Sequence, residues 1–294
     1  MVVTILTPTY NRGELLIKLY NSLVNQTNKN FIWLIVDDGS EDNTNKVVKD
    51  FIKKNEINIK YIFKENGGKH TALNRGIDSI KTQLTFIVDS DDYLPYNSIE
   101  TILMYHNKYK FTENICGYSF LRMHSDGSIN DKMFPLDEKK ESYIQARINS
   151  NIGGDKAEVF FTDILRNFKF PEFKNEKFVA EDLVWIKMAL EYDMIHINKV
   201  IYIGDYLENG LTDNARKMKI ESPLGAIERA KMLMVKECCL RSRIKGALLY
   251  IVYSSFANKN IREIVNSTNN VVLVSLCFPI GKFIYYNWRS KYEK

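Results

Sequence analysis

Histidine, cysteine and tryptophan are scarce in this chain of 294 residues, which holds four, four and three of them. Cys116, Cys238, Cys239 and Cys277 show no metal-ligand spacing and two are adjacent, so neither a zinc site nor a disulfide framework is expected; they read as reduced thiols. No G-x-G-x-x-G follows a strand, which argues against a dinucleotide oxidoreductase. Internal repeats and low-complexity linkers are also missing. Met1 runs directly into the apolar residues 2–6, with neither a basic n-region nor a small-residue cleavage site, so the expectation is a cytoplasmic protein without a secretory signal.

Acidic residues are depleted from one end. Residues 216–294 hold 15 Lys and Arg against 5 Asp and Glu, a local +10, which leaves −5 on residues 1–215 of a chain whose net charge is +5. A basic tail on an acidic body fits an anionic partner, membrane or nucleic acid, and equally an ordinary solvated helical face. With 45% hydrophobic residues the chain can bury one large core and carry an appendage.

The first half alternates short β-rich runs (2–7, 31–37, 59–63, 84–88) with amphipathic segments (13–25, 42–53, 70–80), the pattern of βαβ units around a parallel sheet covered on both faces. The runs before Asp37 and Asp89 are almost wholly apolar, as doubly buried strands are, and each ends in carboxylates. Ligands of open α/β sheets bind beyond the carboxyl ends of the strands, so Asp37, Asp38, Asp89, Asp91 and Asp92 are expected on one rim. A helix from Pro95 to about 110, strands at 115–123, 132–135, 156–161 and 195–204, and a helix at 180–192 are expected next. Beyond 215 the pattern turns to long helices at 223–239, 244–257 and 271–288. The expected division is a catalytic domain over 1–215 and a basic helical extension over 216–294.

Four constellations carry chemistry: Thr7 to Arg12 after the first strand, Asp37 to Ser40 after the second, Asp89 to Asp92 after the fourth, and Glu181 with Asp182 about ninety residues on. Taken singly, each also suits a helix cap or a strand-to-helix turn. Hard divalent cations need oxygen ligands, and such a cation neutralises the charge of a departing phosphate. Read as an extended stretch, residues 89–91 point Asp89 and Asp91 to the same side. Asn66 to His70, with two glycines before a helix, places backbone N–H groups and Lys69 where a diphosphate can lie, and suits a plain helix entry as well.

In that order the four constellations resemble family 2 glycosyltransferases over roughly residues 1–215. The resemblance implies the GT-A fold: α/β, Rossmann-like, with a mixed, mostly parallel sheet between helices and here a C-terminal helical extension. It implies an inverting transfer from a UDP-sugar, assisted by Mn²⁺ or Mg²⁺. Asp91 would be the main metal ligand with Asp92 as helper, Asp89 would face the nucleotide, and Asp37 would accept the uracil imide proton with Asp38 beside it. Tyr10 and the backbone near Pro8 would flank the base, with Arg12 close by. Asp182 would act as general base, accompanied by Glu181. Where many relatives carry Ala-Arg-Asn, this chain has Ala72, Leu73 and Asn74, so Lys69 or His70 is expected to replace that charge. Tyr206 to Thr212 is expected to close over the site with Gly210 as hinge; no histidine lies there, so a third metal ligand from the protein is in doubt. The Gln-x-x-Arg-Trp motif of processive synthases is absent, which argues for transfer of a single sugar.

The implied acceptor is a glycan or a lipid-linked saccharide, and nucleic acid is not among the expected partners. Residues 271–288 contain one charge, Lys282, but Pro279 and Gly281 interrupt them, so a spanning helix is not expected. Tyr285, Tyr286 and Trp288 beside Arg289 and Lys291 suit a membrane interface, so the tail is expected either on the anionic inner face of the cell membrane or packed as a helical lid. Two other readings compete. A nucleotidyltransferase would carry a glycine-rich basic loop after the first strand, where Pro8 to Gly13 offers one glycine; a silent sugar-nucleotide-binding subunit would have no need of the intact acidic motifs.

Overall fold

The computed structural model describes residues 1–205 and 211–292. They fall into two compact units, and the chain passes between them more than once. The first comprises Met1–Ser142, Ile152–Lys169 and Glu191–Asp205; the second Tyr143–Asn151, Phe170–Leu190 and Tyr206–Lys294. Composition placed one boundary near 215, whereas the structural division assigns 143–151 and 170–190 to the helical unit. The helical period at 180–192 is local and does not say which unit that helix joins.

The first unit is a mixed sheet with helices. Its elements are β1 (Val3–Thr9), α1 (Gly13–Val24), β2 (Phe31–Asp37), α2 (Thr44–Lys54), β3 (Ile59–Phe63), α3 (Lys69–Ser79), β4 (Leu84–Ile87), α4 (Ser98–Tyr109), β5 (Ile115–Met123), β6 (Lys139–Glu141), β7 (Lys156–Phe161), α5 (Thr162–Leu165) and β8 (Asp193–Ile203). The strand order is β3-β2-β1-β4-β7-β5-β8-β6. The first four neighbours are parallel, β7 runs antiparallel to both β4 and β5, and β6 is an antiparallel edge on β8. All seven residues of β1 are buried, which is why the run shows no polar alternation. On α1 the residues Leu16, Leu19, Tyr20 and Leu23 form the buried stripe at helical spacing, and Tyr20 stacks on Phe51 with 4.0 Å between ring centroids.

Residues 132–135 do not form the expected strand. Asn198 takes the place of a neighbouring strand, accepting the Phe134 N–H at 2.9 Å and donating to its carbonyl at 2.9 Å, while the Phe134 ring is buried. The ladder partner of β8 is instead the three-residue β6. The helix expected from Pro95 begins at Ser98, because the Pro95 carbonyl is occupied by Ser98 and by the Gln26 side-chain amide.

The second unit is helical: a π-helix (Ile144–Asn149), α6 (Asp182–Met188), α7 (Leu211–Glu221), α8 (Pro223–Met232), α9 (Leu240–Phe256), α10 (Ile261–Asn266) and α11 (Val271–Tyr292). Its core joins Ile227, Ala230, Tyr250, Ile251, Ile264 and Val274. Glu176 accepts the N–H groups of Leu224 and Gly225 at 2.8 and 3.0 Å, so a carboxylate sits on the positive end of α8. Residues 180–192 give only the short α6, and α8 stops at Met232, short of the expected 239. Asn260 and Glu263 form a capping box that starts α10. Helix α11 continues through Pro279 and is long and apolar enough to cross a membrane by length and composition, with 22% of that window buried. The expected closing segment lies largely in residues 206–210, outside the described residues. The four cysteines are free thiols.

Candidate active site

Parallel pairing sets Thr9 beside Asp37 and Leu6 beside Ile87, so the loops after β1, β2 and β4 leave the sheet at the same rim. They are tied together by polar contacts. The Asn11 N–H donates to Ser40 Oγ at 2.8 Å, Asn11 Oδ1 accepts the Glu41 N–H at 2.8 Å, and the Asp38 N–H donates to the Thr9 carbonyl at 2.8 Å. Gly39, at φ +85°, makes the turn after β2, where a Cβ would lie 2.8 Å from the Asn66 nitrogen.

The two carboxylates after β2 are both buried and do different work. Asp37 accepts the Ser40 N–H at 2.8 Å and the Tyr61 hydroxyl at 2.6 Å, and burial together with that carboxylate pushes the Tyr61 phenol well up. Asp38 is turned to the loop before α3, accepting from Lys64 Nζ at 2.6 Å, the Gly67 N–H at 3.0 Å and the Gly68 N–H at 2.7 Å. Asp38 therefore shapes the Asn66–Gly67–Gly68 loop that presents Lys69. Pro8 is buried in β1, whereas the Tyr10 ring stands 44% exposed at the rim.

Asp89, Asp91 and Asp92 gather with their carboxylate oxygens within 4.8 Å of one another. The segment is a turn, not the extended stretch expected from sequence: the Asp92 N–H donates to the Asp89 carbonyl at 3.3 Å. Each carboxylate has its own cation. Lys69 Nζ lies 2.5 Å from Asp89, Arg12 Nη1 3.0 Å from Asp91 and Arg122 Nη2 3.2 Å from Asp92. Of the two side chains expected to replace the missing arginine, Lys69 is in this cluster and His70 is buried in α3 at 1% exposure.

Behind the cluster lies a network that sequence reasoning missed. The Tyr202 hydroxyl donates to Asp92 Oδ2 at 2.7 Å and accepts the Asp89 N–H at 3.0 Å, and the Arg122 guanidinium lies 4.8 Å from the centre of the Tyr202 ring. At Gly204 a Cβ would fall 2.0 Å from Asp92 Oδ1, so only glycine admits this approach. Burial, reinforced by the charges of Asp89 and Asp91 and opposed by Arg122, pushes the Asp92 carboxyl up to about 7. At Asp89 burial acts in the same direction, but Lys69 outweighs it, with Arg122 and Arg12 adding to it, and holds the carboxyl below its usual range. Lys64 follows from the strand-end rule applied to β3; Tyr61, Arg122 and Tyr202 sit inside strands and carry no sequence signal.

Glu181 and Asp182 belong to the second unit, at the start of α6. Arg229 grips Asp182 at two points, Nε to Oδ1 at 2.7 Å and Nη2 to Oδ2 at 2.5 Å. Burial would raise the Asp182 carboxyl, but Arg229, with Lys219 and Arg147 beyond it, holds it below the ordinary carboxylate range.

The acidic cluster fits a divalent cation by the chemistry of its donors, which are hard carboxylate oxygens on one short turn. Comparison with known proteins agrees with the fold. The family described as Glycosyl transferase family 2 matches residues 4–156. A Campylobacter jejuni protein named GalNAc(5)-diNAcBac-PP-undecaprenol beta-1,3-glucosyltransferase is 26% identical over 241 residues, covering 79% of this chain and 74% of its own length. Glycosyltransferase GlyG of Streptococcus pneumoniae is 34% identical over 102 residues, 34% of either chain. Among solved structures, S. aureus TarS 1-349 in complex with UDP-GlcNAc has a TM-score of 0.66 at 17% identity, covering 99% of this chain and 92% of that one. A Pyrobaculum calidifontis mannosyltransferase in complex with GDP-Man and Mn²⁺ gives 0.55 at 15% identity, covering 99% and 83%.

Proposed function

Because this chain belongs to glycosyl transferase family 2, whose match spans more than half of it, we propose that it moves a single sugar from a UDP-sugar to a lipid-linked saccharide with inversion at the anomeric carbon. The observation that carries this reading is the triad of carboxylates after β4, on the same rim of the sheet as the buried Asp37 and the exposed Tyr10. Asp37 accepts a hydrogen bond from the uracil imide N–H and Tyr10 covers the base. Lys69, presented by the loop that Asp38 shapes, lies along the diphosphate. Asp91 would hold Mn²⁺ or Mg²⁺ with the help of Asp92, which Tyr202 and Arg122 fix in place, and Asp89 faces the nucleotide. When bound, the cation supplies positive charge to the departing diphosphate.

Inversion requires the acceptor hydroxyl to lose its proton as it attacks the face opposite the diphosphate. The pair Glu181 and Asp182 supplies the base in this reading, on the strength of the family resemblance. The grip of Arg229 keeps Asp182 ionised and lowers its proton affinity, so a base there works by position more than by basicity. The Campylobacter relative, named for an undecaprenyl-diphosphate saccharide, supports a lipid-linked acceptor, and the basic C-terminal helices support work at an anionic membrane face inside the cell.

A panel of UDP-sugars screened by thermal unfolding with Mn²⁺ tests the reading, since a ligand of the folded state raises its apparent stability. One UDP-sugar is expected to raise Tm more than UDP alone and to be hydrolysed slowly, with both effects lost in EDTA. Pyrophosphate release from UTP in the presence of a sugar 1-phosphate, with no response to any UDP-sugar, would overturn it in favour of nucleotidyl transfer.

A further inference from the structure

Helix α11 is apolar on two faces, and only one of them is covered. Val274, Cys277, Gly281 and Tyr285 are buried in the second unit, and the fit against α9 is close: a Cβ on Gly281 would lie 2.7 Å from Ile251 Cγ2. On the opposite side Val272, Leu276, Ile280, Phe283 and Tyr286 are 75%, 74%, 58%, 71% and 60% exposed. Their spacing of four, four, three and three residues keeps them on one stripe about four turns long. Lone exposed apolar residues are ordinary; a continuous stripe of five large ones marks an interaction surface.

Charge identifies the occupant. At roughly 100° per residue, Arg289 borders the stripe on one side and Lys291 on the other, while Lys282, on the Arg289 side, turns inward and donates to Ser255 Oγ at 3.3 Å. Across α9 and α11 there are six basic residues, Arg241, Arg243, Lys245, Lys282, Arg289 and Lys291, and no acidic one. The apolar surface continues over Ile284 and Trp288 into a groove of about 310 Å³ between the two helices, lined on the α9 side by Ile244, Leu248 and Val252, with Arg241 and Lys245 also lining it. A second copy docking through the same stripe would set these cations against their own images. A spanning helix would have to leave its close contact with α9. An anionic lipid surface satisfies both the stripe and its basic borders.

We propose that the uncovered face of α11 beds in the acyl region of an anionic bilayer, with Arg289 and Lys291 at the phosphate level and the helix lying in the membrane plane. This rests on the reading that the enzyme works at a membrane face, and it names the surface that does so. The full-length chain is centrifuged with vesicles of phosphatidylglycerol and phosphatidylcholine in equal parts, and with pure phosphatidylcholine. Wild type is expected to partition at least tenfold more strongly to the anionic vesicles. The triple variant Val272→Ser, Leu276→Ser, Phe283→Ser is expected to lose at least tenfold of that binding, with unchanged Tm because the positions are exposed, and with unchanged hydrolysis of the donor in free solution. Equal pelleting of variant and wild type overturns the proposal, as does a dimer by light scattering that the variant splits. Donor hydrolysis without vesicles reports on the acidic turn alone, so failure at α11 and failure of the transferase reading are separable.

Discussion

The acidic turn of the first unit and the Asp182–Arg229 pair of the second both hold carboxylates, under opposite electrostatic conditions. At the turn three like charges are packed within 4.8 Å, each with one cation, and one is driven up to about 7 by burial and its neighbours. In the second unit one carboxylate receives both arms of a guanidinium and is held low. Crowded like charges oppose folding, and groups so arranged mark sites where binding, not stability, sets the residue; a two-point ion pair is an ordinary device of stability as well.

The sharpest way to break this contrast is Asp91→Asn. It removes a proposed cation ligand and relieves repulsion, so turnover of the UDP-sugar is expected to fall on the order of 10²- to 10³-fold while Tm does not fall. A lower Tm with retained turnover would make the turn structural. Arg229→Met probes the other side. Both partners are about a fifth exposed, so the expected loss is about 2 kcal/mol, below that of a fully buried pair, measured by urea unfolding. Because the Asp182 carboxyl is held low when folded, its contribution is present above the ordinary carboxylate range and is lost as pH falls through the folded value. The gap between wild type and variant is therefore expected to close in acid. If Asp182 is also the base, the acid limb of the kcat/KM profile moves to higher pH in this variant; an unmoved limb assigns the base elsewhere. The smallest effect is expected from Tyr202→Phe, which deletes the hydrogen bond to Asp92. Affinity for Mn²⁺ is expected to weaken about tenfold, with a stability loss of about 1 kcal/mol; metal titration by calorimetry reads the first, and unaltered Mn²⁺ affinity would confine Tyr202 to packing.

Much of the first unit was legible because its strands are doubly buried and each ends in a charged or turn residue. Asp37, Asp38, Asp89, Asp91 and Asp92 could be placed on one rim by that rule alone. The division of labour among them could not: that Asp38 organises the Asn66–Gly68 loop while Asp37 pairs with Tyr61 depends on β3 lying beside β2. The strand expected at 132–135 failed because one asparagine side chain, 64 residues away, took over the backbone groups of Phe134. Arg122 and Tyr202 were invisible because they belong to strands whose other residues are core, and nothing local distinguishes a strand tyrosine that packs from one that holds a carboxylate.

Local chemistry alone determined where strands end in carboxylates and that residues 216–294 are basic and helical, since these depend on periodicity and on residues adjacent in the chain. Which cation meets which aspartate, that residues 89–92 form a turn, that Arg229 claims Asp182 and that one apolar face of α11 stays bare were decided only by tertiary structure. Each requires two segments remote in sequence to be brought within a few ångströms, and burial and charge neutralisation act only at that range.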